Sequence, residues 1–252
     1  MIDLETACQV FCDGFSFTKS FTHPYLVSRE GPLFVMHDGP RRKPDYRRAE
    51  FISPGLPVED VLDHVERLRQ QPATQRFLLC AITTGSDVCE NTKAAYKGRG
   101  FRLMMTEPMM VAKAAMAPIL TSAATVYRVT DQENADRVAK AAGSKQVMAT
   151  QLTDDPPILR LYAADVDGEP VGWVRSIQQH PNLAWVSNMY VKPEFRRQGI
   201  AKALLSTLLQ DDARHGVEHS VLLASHTGAK LYPALGYEQI AMLHGFNPVR
   251  AR

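Results

Sequence analysis

The sequence predicts a mixed α/β protein of the α+β type, built from two tandem units, and three observations carry that prediction. Short apolar runs of strand length alternate along the chain with segments of helical periodicity. The two halves end alike: "RFLLCAITTGSDVCENTKAAYKGRGFRLMM" and "SVLLASHTGAKLYPALGYEQIAML" both read strand, helix, Tyr, Gly-aromatic, strand. Tyr96 aligns with Tyr232, Gly100 with Gly236 and Phe101 with Tyr237, a repeat of ~130 residues that fits a duplicated domain rather than a solenoid. Finally, 252 residues are ample for two domains, and an apolar fraction of 45% against 22% charged residues allows each a core.

In the first unit, "PLFVMHDG" and "YRRAEFIS" read as strands joined by the polar turn "PRRKPD". "VEDVLDHVERLRQQ" follows with Val58, Val61, Leu62, Val65 and Leu68 on one helical face. A strand "RFLLCAIT", a helix "ENTKAAYKGR" and a strand "GFRLMMT" complete it. The Ala-, Met- and Pro-rich stretch 107–124 breaks this pattern and is read as a linker or bridging helix. Glu107, Lys113 and Pro118 rule it out as a membrane span. The domain boundaries expected are 1–117, a linker 118–124, and 125–252.

The second unit opens with a strand "TVYRVT" and a helix "QENADRVAKAAG" that stops at Gly143. "ILRLYAADVDGEPVGWVRSIQQ" folds back at "VDGEP", the strongest hairpin signal in the chain. After the strand "LAWVSNMYVKP", the segment "GIAKALLSTLLQDDARHG" places Ile200, Leu204 and Leu208 on one stripe, widened by Leu205 and Leu209. "SVLLAS", a short helix "TGAKLYPAL" and "GYEQIAML" close the unit.

A net charge of +2 implies neither a nucleic-acid nor a membrane partner. The start "MIDLETACQVFCDGF" lacks the basic-then-apolar order of a secretory signal. Four scattered cysteines do not make a disulfide framework, so a reducing, cytoplasmic setting is expected. Cys8 and Cys12 stand at i, i+4, but without two further ligands at recognisable spacing they read as small buried residues, and no metal is expected.

The segment "MYVKPEFRRQGIAKALLSTLL" carries the chemistry. A helix N-terminus presents unpaired amides and a partial positive charge, and a glycine there lets an anion approach. Gly199 supplies that position, while Arg196 and Arg197 add cationic groups suited to phosphate oxygens. Placing cations at the positive end of a helix costs stability unless an anion sits there. No Lys-Ser or Lys-Thr follows the glycine, which disfavours a nucleoside triphosphate loop, and the three-glycine dinucleotide pattern is missing. A solvated basic loop before an ordinary helix is the plain alternative.

Val191, Pro193, Arg196, Gly199 and Ala201 in "VKPEFRRQGIA" resemble the signature loop of the GNAT superfamily of acyl-CoA-dependent N-acyltransferases. The element order from about 125 to 246 and the segment "LLASHTGAKLYPALGYEQI" are similar to the same family. The resemblance implies mixed, mostly antiparallel sheets flanked by helices. It implies acetyl-CoA as donor, with its diphosphate on the amides of Arg197 to Ala201 and the loop side chains from Arg196 through Gln198, Ile200 and Lys202 around it. The pantetheine arm would run along Met189, Tyr190 and Val191, with Ser225 standing where the family often has Asn.

By the same resemblance, Tyr232 matches the general acid that protonates the departing thiolate; its plain reading is an aromatic whose hydroxyl pairs with backbone. The base is open. Ser187 and Asn188 occupy the strand where many members carry Glu, and His180, His226, Asp154 and Asp155 read more simply as surface or packing residues. In the first half "PGLP" replaces the signature loop, which implies a degenerate copy with Tyr96 structural. Arg41, Arg42, Lys43, Arg47 and Arg48 read as solvated hairpin residues. The expected activity is transfer of an acetyl group to a primary amine of a small molecule or peptide. Homodimerisation is left open, and the alternative is a non-catalytic acyl-CoA-binding sensor.

Overall fold

The computed structural model describes residues 2–40, 47–85 and 90–249. In chain order the elements are α1 (Leu4–Lys19), β1 (Tyr25–Glu30), β2 (Leu33–Asp38), β3 (Ala49–Pro54), α2 (Val58–Leu68), β4 (Phe77–Thr84), α3 (Glu90–Gly98) and β5 (Phe101–Lys113). They continue with β6 (Thr125–Val129), α4 (Gln132–Ala142), β7 (Leu159–Val166), β8 (Glu169–His180), β9 (Leu183–Val191), α5 (Ile200–Arg214), β10 (His219–Leu223) and β11 (Glu238–Pro248). The architecture is mixed α/β, mostly antiparallel, with flanking helices, as the sequence predicts.

Two compact units form, and they are interleaved rather than consecutive. The first gathers Met1–Met110, Leu223–Thr227 and Gln239–Arg252; the second gathers Val111–Leu222 and Gly228–Glu238. A linear cut near 117–125 and this grouping therefore differ, above all in where β11 goes.

Within the first unit the strand order is β1-β2-β3-β4-β11-β5. β3 and β4 run parallel and stay paired from Ala49–Phe77 to Pro54–Ile82. Its core stacks Phe51 on Phe77 at 4.7 Å and sets Tyr96 against Phe246 of β11 at 4.6 Å. α1 and β1 have no counterpart in the sequence reading. α1 starts because the Asp3 carboxylate accepts from Thr6 N at 2.7 Å, and it buries Cys8, Phe11 and Cys12. Burial raises the thiol pKa of Cys8, Cys12 and Cys80, which holds them as apolar core groups. The stretch Glu107–Lys113 is part of β5, not a linker or bridging helix; pairing overrides the helical preference of Ala and Met. Arg41, Arg42 and Lys43 lie outside the described residues, as does Cys89.

Within the second unit the order is β10-β9-β8-β7-β6, with β9 and β10 the parallel pair. The β7–β8 hairpin turns at Asp167 and Gly168, with φ of 50° and 80°, the mirror-image turn that an Asp-Gly pair favours. α4 ends at Gly143 in the left-handed conformation, as predicted. α5 buries Ile200, Leu204, Leu205, Leu208 and Leu209, each worth about 1.5–3 kcal/mol when fully withdrawn from water. Beneath it lies a polar cluster: Arg160 donates to Asp212 at 2.6 Å, and Ser176 Oγ donates to both Asp212 oxygens at 2.8 and 2.9 Å.

The stretch 114–124 is a strap laid along α5. Ser206 Oγ donates to Pro118 O at 2.6 Å and accepts from Leu120 N at 2.9 Å. Among the described residues, no helix is long and apolar enough to cross a membrane.

Candidate functional site

β9 is paired on one edge and opens on the other. β10 runs beside it from Leu183–His219 to Trp185–Val221, and the pairing ends there among the described residues. Toward its end β9 stays with β8, through Trp173–Tyr190 and Gly172–Val191. Lys192 N donates to Val171 O at 2.8 Å, on the β8 side. Strand alternation then turns the amides of Met189 and Val191 to the opposite edge, where β10 has parted. This is hydrogen-bonding capacity suited to an extended polar chain.

Asn188 lies just past that divergence. Its φ of 51° is left-handed, and the β8–β9 register slips there, which marks a bulge. The bulge is held from outside: Asn188 Nδ2 donates to Oε1 of Gln146, itself buried in the loop after α4. The preceding Ser187 accepts from Arg175 Nε at 3.2 Å. Burial draws the Arg175 pKa down to about 10. Sequence reasoning missed Gln146 and Arg175, since neither carries a motif.

After β9 a 3-10 turn, Pro193–Phe195, leads to Arg197 at φ 61° and Gly199 at φ 80°. Gly199 caps α5, and the first helical bond runs from Ala203 N to Gly199 O at 3.0 Å. The amides of Ile200, Ala201 and Lys202 precede that ladder, and those of Arg197, Gln198 and Gly199 make no backbone bond among the described residues. A run of amides is therefore open at a helix N-terminus, the arrangement expected of an anion cradle. A Cβ on Gly199 would stand 3.7 Å from Ser122 Cβ and Thr121 O, so the strap flanks the cradle.

The loop residues are exposed, with Ile200 buried beneath and Ala201 half-buried. Arg196 folds back rather than outward, its Nε donating to Val191 O at 3.0 Å. Ser225 is exposed and belongs to the Leu223–Thr227 segment of the first unit. His226, in the same segment, pairs with Thr106 Oγ1 at 2.7 Å. Asp154 and Asp155 are exposed loop residues, and His180 ends β8.

Tyr232 opens a 3-10 turn, Tyr232–Leu235, where the sequence suggests a longer helix; Pro233 and Gly236 shorten it. Its ring meets Tyr237 edge-on at 5.4 Å, and Tyr237 Oη shares a 2.7 Å hydrogen bond with Ser220. The Tyr232 side chain is buried. Burial pushes its pKa up to about 12, so the phenol keeps its proton at neutral pH. Tyr96, its counterpart in the first unit, is fully buried with its hydroxyl enclosed.

Residues 157–239 match the family model described as an acetyltransferase (GNAT) domain. Among solved structures, a GCN5-related N-acetyltransferase from Kribbella flavida is 16% identical with a TM-score of 0.66, over 100% of this chain and 98% of its own. One from Sphaerobacter thermophilus is 18% identical at TM-score 0.58, covering 87% and 78%. A tandem GNAT protein from the clavulanic acid biosynthesis pathway is 17% identical at 0.52, covering 87% and 80%. A search of curated proteins returns no match. Over residues 157–239 the sequence thus matches a GNAT acetyltransferase domain, and the solved structures share its fold, which together support an acyltransferase.

Proposed function

We propose that the second unit transfers an acetyl group from acetyl-CoA to a primary amine. The observation that carries this reading is the pairing of two open backbone surfaces. One is the free edge of β9 at Met189 and Val191; the other is the run of amides from Arg197 to Ala201. The first suits a pantetheine arm and the second a diphosphate, with Arg197, Gln198 and Lys202 exposed around it. Ser225 is retained as a cofactor contact on resemblance alone.

In the reaction the neutral amine attacks the thioester carbonyl. A C–N bond forms, the C–S bond breaks, and the amine gives up a proton while the thiolate gains one. Tyr232 is assigned that second proton, because burial keeps its phenol protonated. The acceptor is a small-molecule or peptide amine.

Acetyl-CoA calorimetry on the wild type and Gly199→Glu tests the reading. A side chain there must adopt a left-handed φ and brings a carboxylate to the cradle. Wild-type binding that the substitution abolishes is expected; equal binding by both proteins would overturn it.

We further infer that the first unit is a degenerate copy. Its parallel pair, β3 and β4, stays closed to Pro54–Ile82, and the Gly55 amide is consumed by Ile82 O at 2.8 Å. The strand edge that opens beside β9 is closed there, and the run of free amides leading into α2 is broken at Gly55 and at Pro57, which has no N–H. In sequence order the proposed copies are 1–117 and 125–252 with 118–124 between them, while by packing β11 joins the first unit. Among the described residues the thiols of Cys8, Cys12 and Cys80 are free and buried, which favours a reducing cytoplasm. A second reading, an acyl-CoA-binding sensor, is favoured by one observation: Ser187 and Asn188, on the strand where a base is sought, are not carboxylates and are already bonded to Arg175 and Gln146.

A further inference from the structure

The geometry points to Trp173, Tyr190 and Arg196 as a stacked ladder that positions the diphosphate cradle, with Arg196 acting through the loop backbone rather than as a phosphate ligand. The inference rests on the acetyl-CoA reading of the second unit.

Trp173 and Tyr190 are cross-strand partners on β8 and β9. Their rings lie 4.9 Å apart at 25°, an offset stack. Trp173 is 4% exposed and anchored in the core, whereas Tyr190 is 37% exposed. The Arg196 guanidinium covers the Tyr190 ring at 5.7 Å from its centroid. The same side chain spends its Nε on Val191 O at 3.0 Å.

Arg196 is thus tied at two points to the last residues of β9, five and six positions back along the chain. That tie closes a tight loop whose next residues, Arg197 and Gly199, take left-handed conformations. Other restraints within the loop are long or local: Phe195 N bonds Lys192 O at 3.0 Å, Arg196 N reaches Pro193 O at 3.3 Å, and Gln198 Nε2 reaches Glu194 O at 3.4 Å. A group of amides binds an oxyanion well only if they converge before it arrives, since ordering them on binding subtracts from affinity. The ladder supplies that order from a buried indole outward.

Gly172 makes the stack geometrically accessible. A Cβ there would stand 3.0 Å from Tyr190 O and 3.2 Å from Val191 Cγ2, so only glycine lets β8 come this close beside Trp173.

Lysine separates the two roles of Arg196, because it keeps the charge but has neither the planar stack nor the Nε–H. Acetyl-CoA calorimetry on Arg196→Lys, Tyr190→Leu, Tyr190→Phe and the Arg196→Lys/Tyr190→Leu pair reads the ladder directly. Arg196→Lys and Tyr190→Leu should each weaken binding about three- to tenfold, the scale of a lost cation–π contact. Tyr190→Phe, which keeps the ring, should recover most of the affinity that Tyr190→Leu loses. The double variant should be no weaker than about the worse single one, because both break one contact chain. Both side chains lie at the surface, and thermal unfolding confirms that each variant is folded. Wild-type affinity in Arg196→Lys, or in Tyr190→Leu, overturns the ladder while leaving the acetyl-CoA site standing. A wild-type chain that does not bind acetyl-CoA overturns both.

Discussion

Arg160 and Asp212 meet at 2.6 Å with side-chain exposures of 1% and 0%, an ion pair shut inside the second unit. Arg160 also donates to Gln178 Oε1 at 2.9 Å, and Ser176 holds the other side of Asp212. Removing one partner strands a buried charge. Asp212→Ala should therefore destabilise the protein by about 3–5 kcal/mol in urea unfolding, whereas Asp212→Leu with Arg160→Met should lose far less.

Tyr232→Phe tests the acid. With an amine panel, turnover should fall about a hundredfold while acetyl-CoA affinity stays within about twofold. Because burial raises the phenol pKa to about 12, Tyr232 itself should produce no falling limb in the rate profile through pH 10. An unaltered rate removes the assignment.

Alkaline stability follows from the same burial. Tyr162, Tyr232 and Tyr237 all have pKa values raised by desolvation, while unfolded tyrosines ionise near about 10. The unfolded chain thus loses protons first as pH rises, and stability contributed below pH 10 is lost upward from there. The melting temperature should hold between pH 7 and 9 and drop steeply by pH 11. A flat profile would show these phenols to be open to solvent.

Gly172→Ala probes the close approach of β8 and β9. The added methyl meets Tyr190 O at 3.0 Å, Leu204 Cδ1 at 3.1 Å and Val191 Cγ2 at 3.2 Å, one backbone atom and two buried side-chain atoms. A loss of about 1–3 kcal/mol is expected from denaturant titration, with weakened acetyl-CoA binding.

Ser206→Ala should release the strap. It removes the acceptor of Leu120 N and the donor to Pro118 O, costing about 1–3 kcal/mol. Limited proteolysis should then cut between 114 and 124 faster than in the wild type.

What the sequence revealed follows a physical divide. The leucine stripe of α5, the Asp167-Gly168 turn and the Gly143 stop were legible because each depends on residues within one turn or hairpin. Gly199 was legible because a left-handed helix cap needs glycine. The strand Glu107–Lys113 was not, since its conformation comes from pairing with distant segments while its Ala and Met content favours helix. Nor was Arg196's inward fold, which depends on Tyr190 and on a carbonyl of the preceding strand. Gln146 and Arg160 gave no signal, because a buried polar side chain is recognised only by partners about 42 and 52 residues away.

The place of β11 bears on how the molecule comes into being. Phe246 belongs to the first unit's core beside Phe51 and Tyr96, and β11 pairs with β4 from Phe246–Leu79 to Ala241–Thr84. During synthesis residues 1–110 of the first unit emerge early, yet the strand between β4 and β5 follows only after residues 111–237. Until then β4 offers the nascent chain an unfilled edge, open to chaperones or to mispairing. Folding of the first unit must wait for β11, so emergence of residues 238–248, not of residues 1–110, sets the moment at which this core can close.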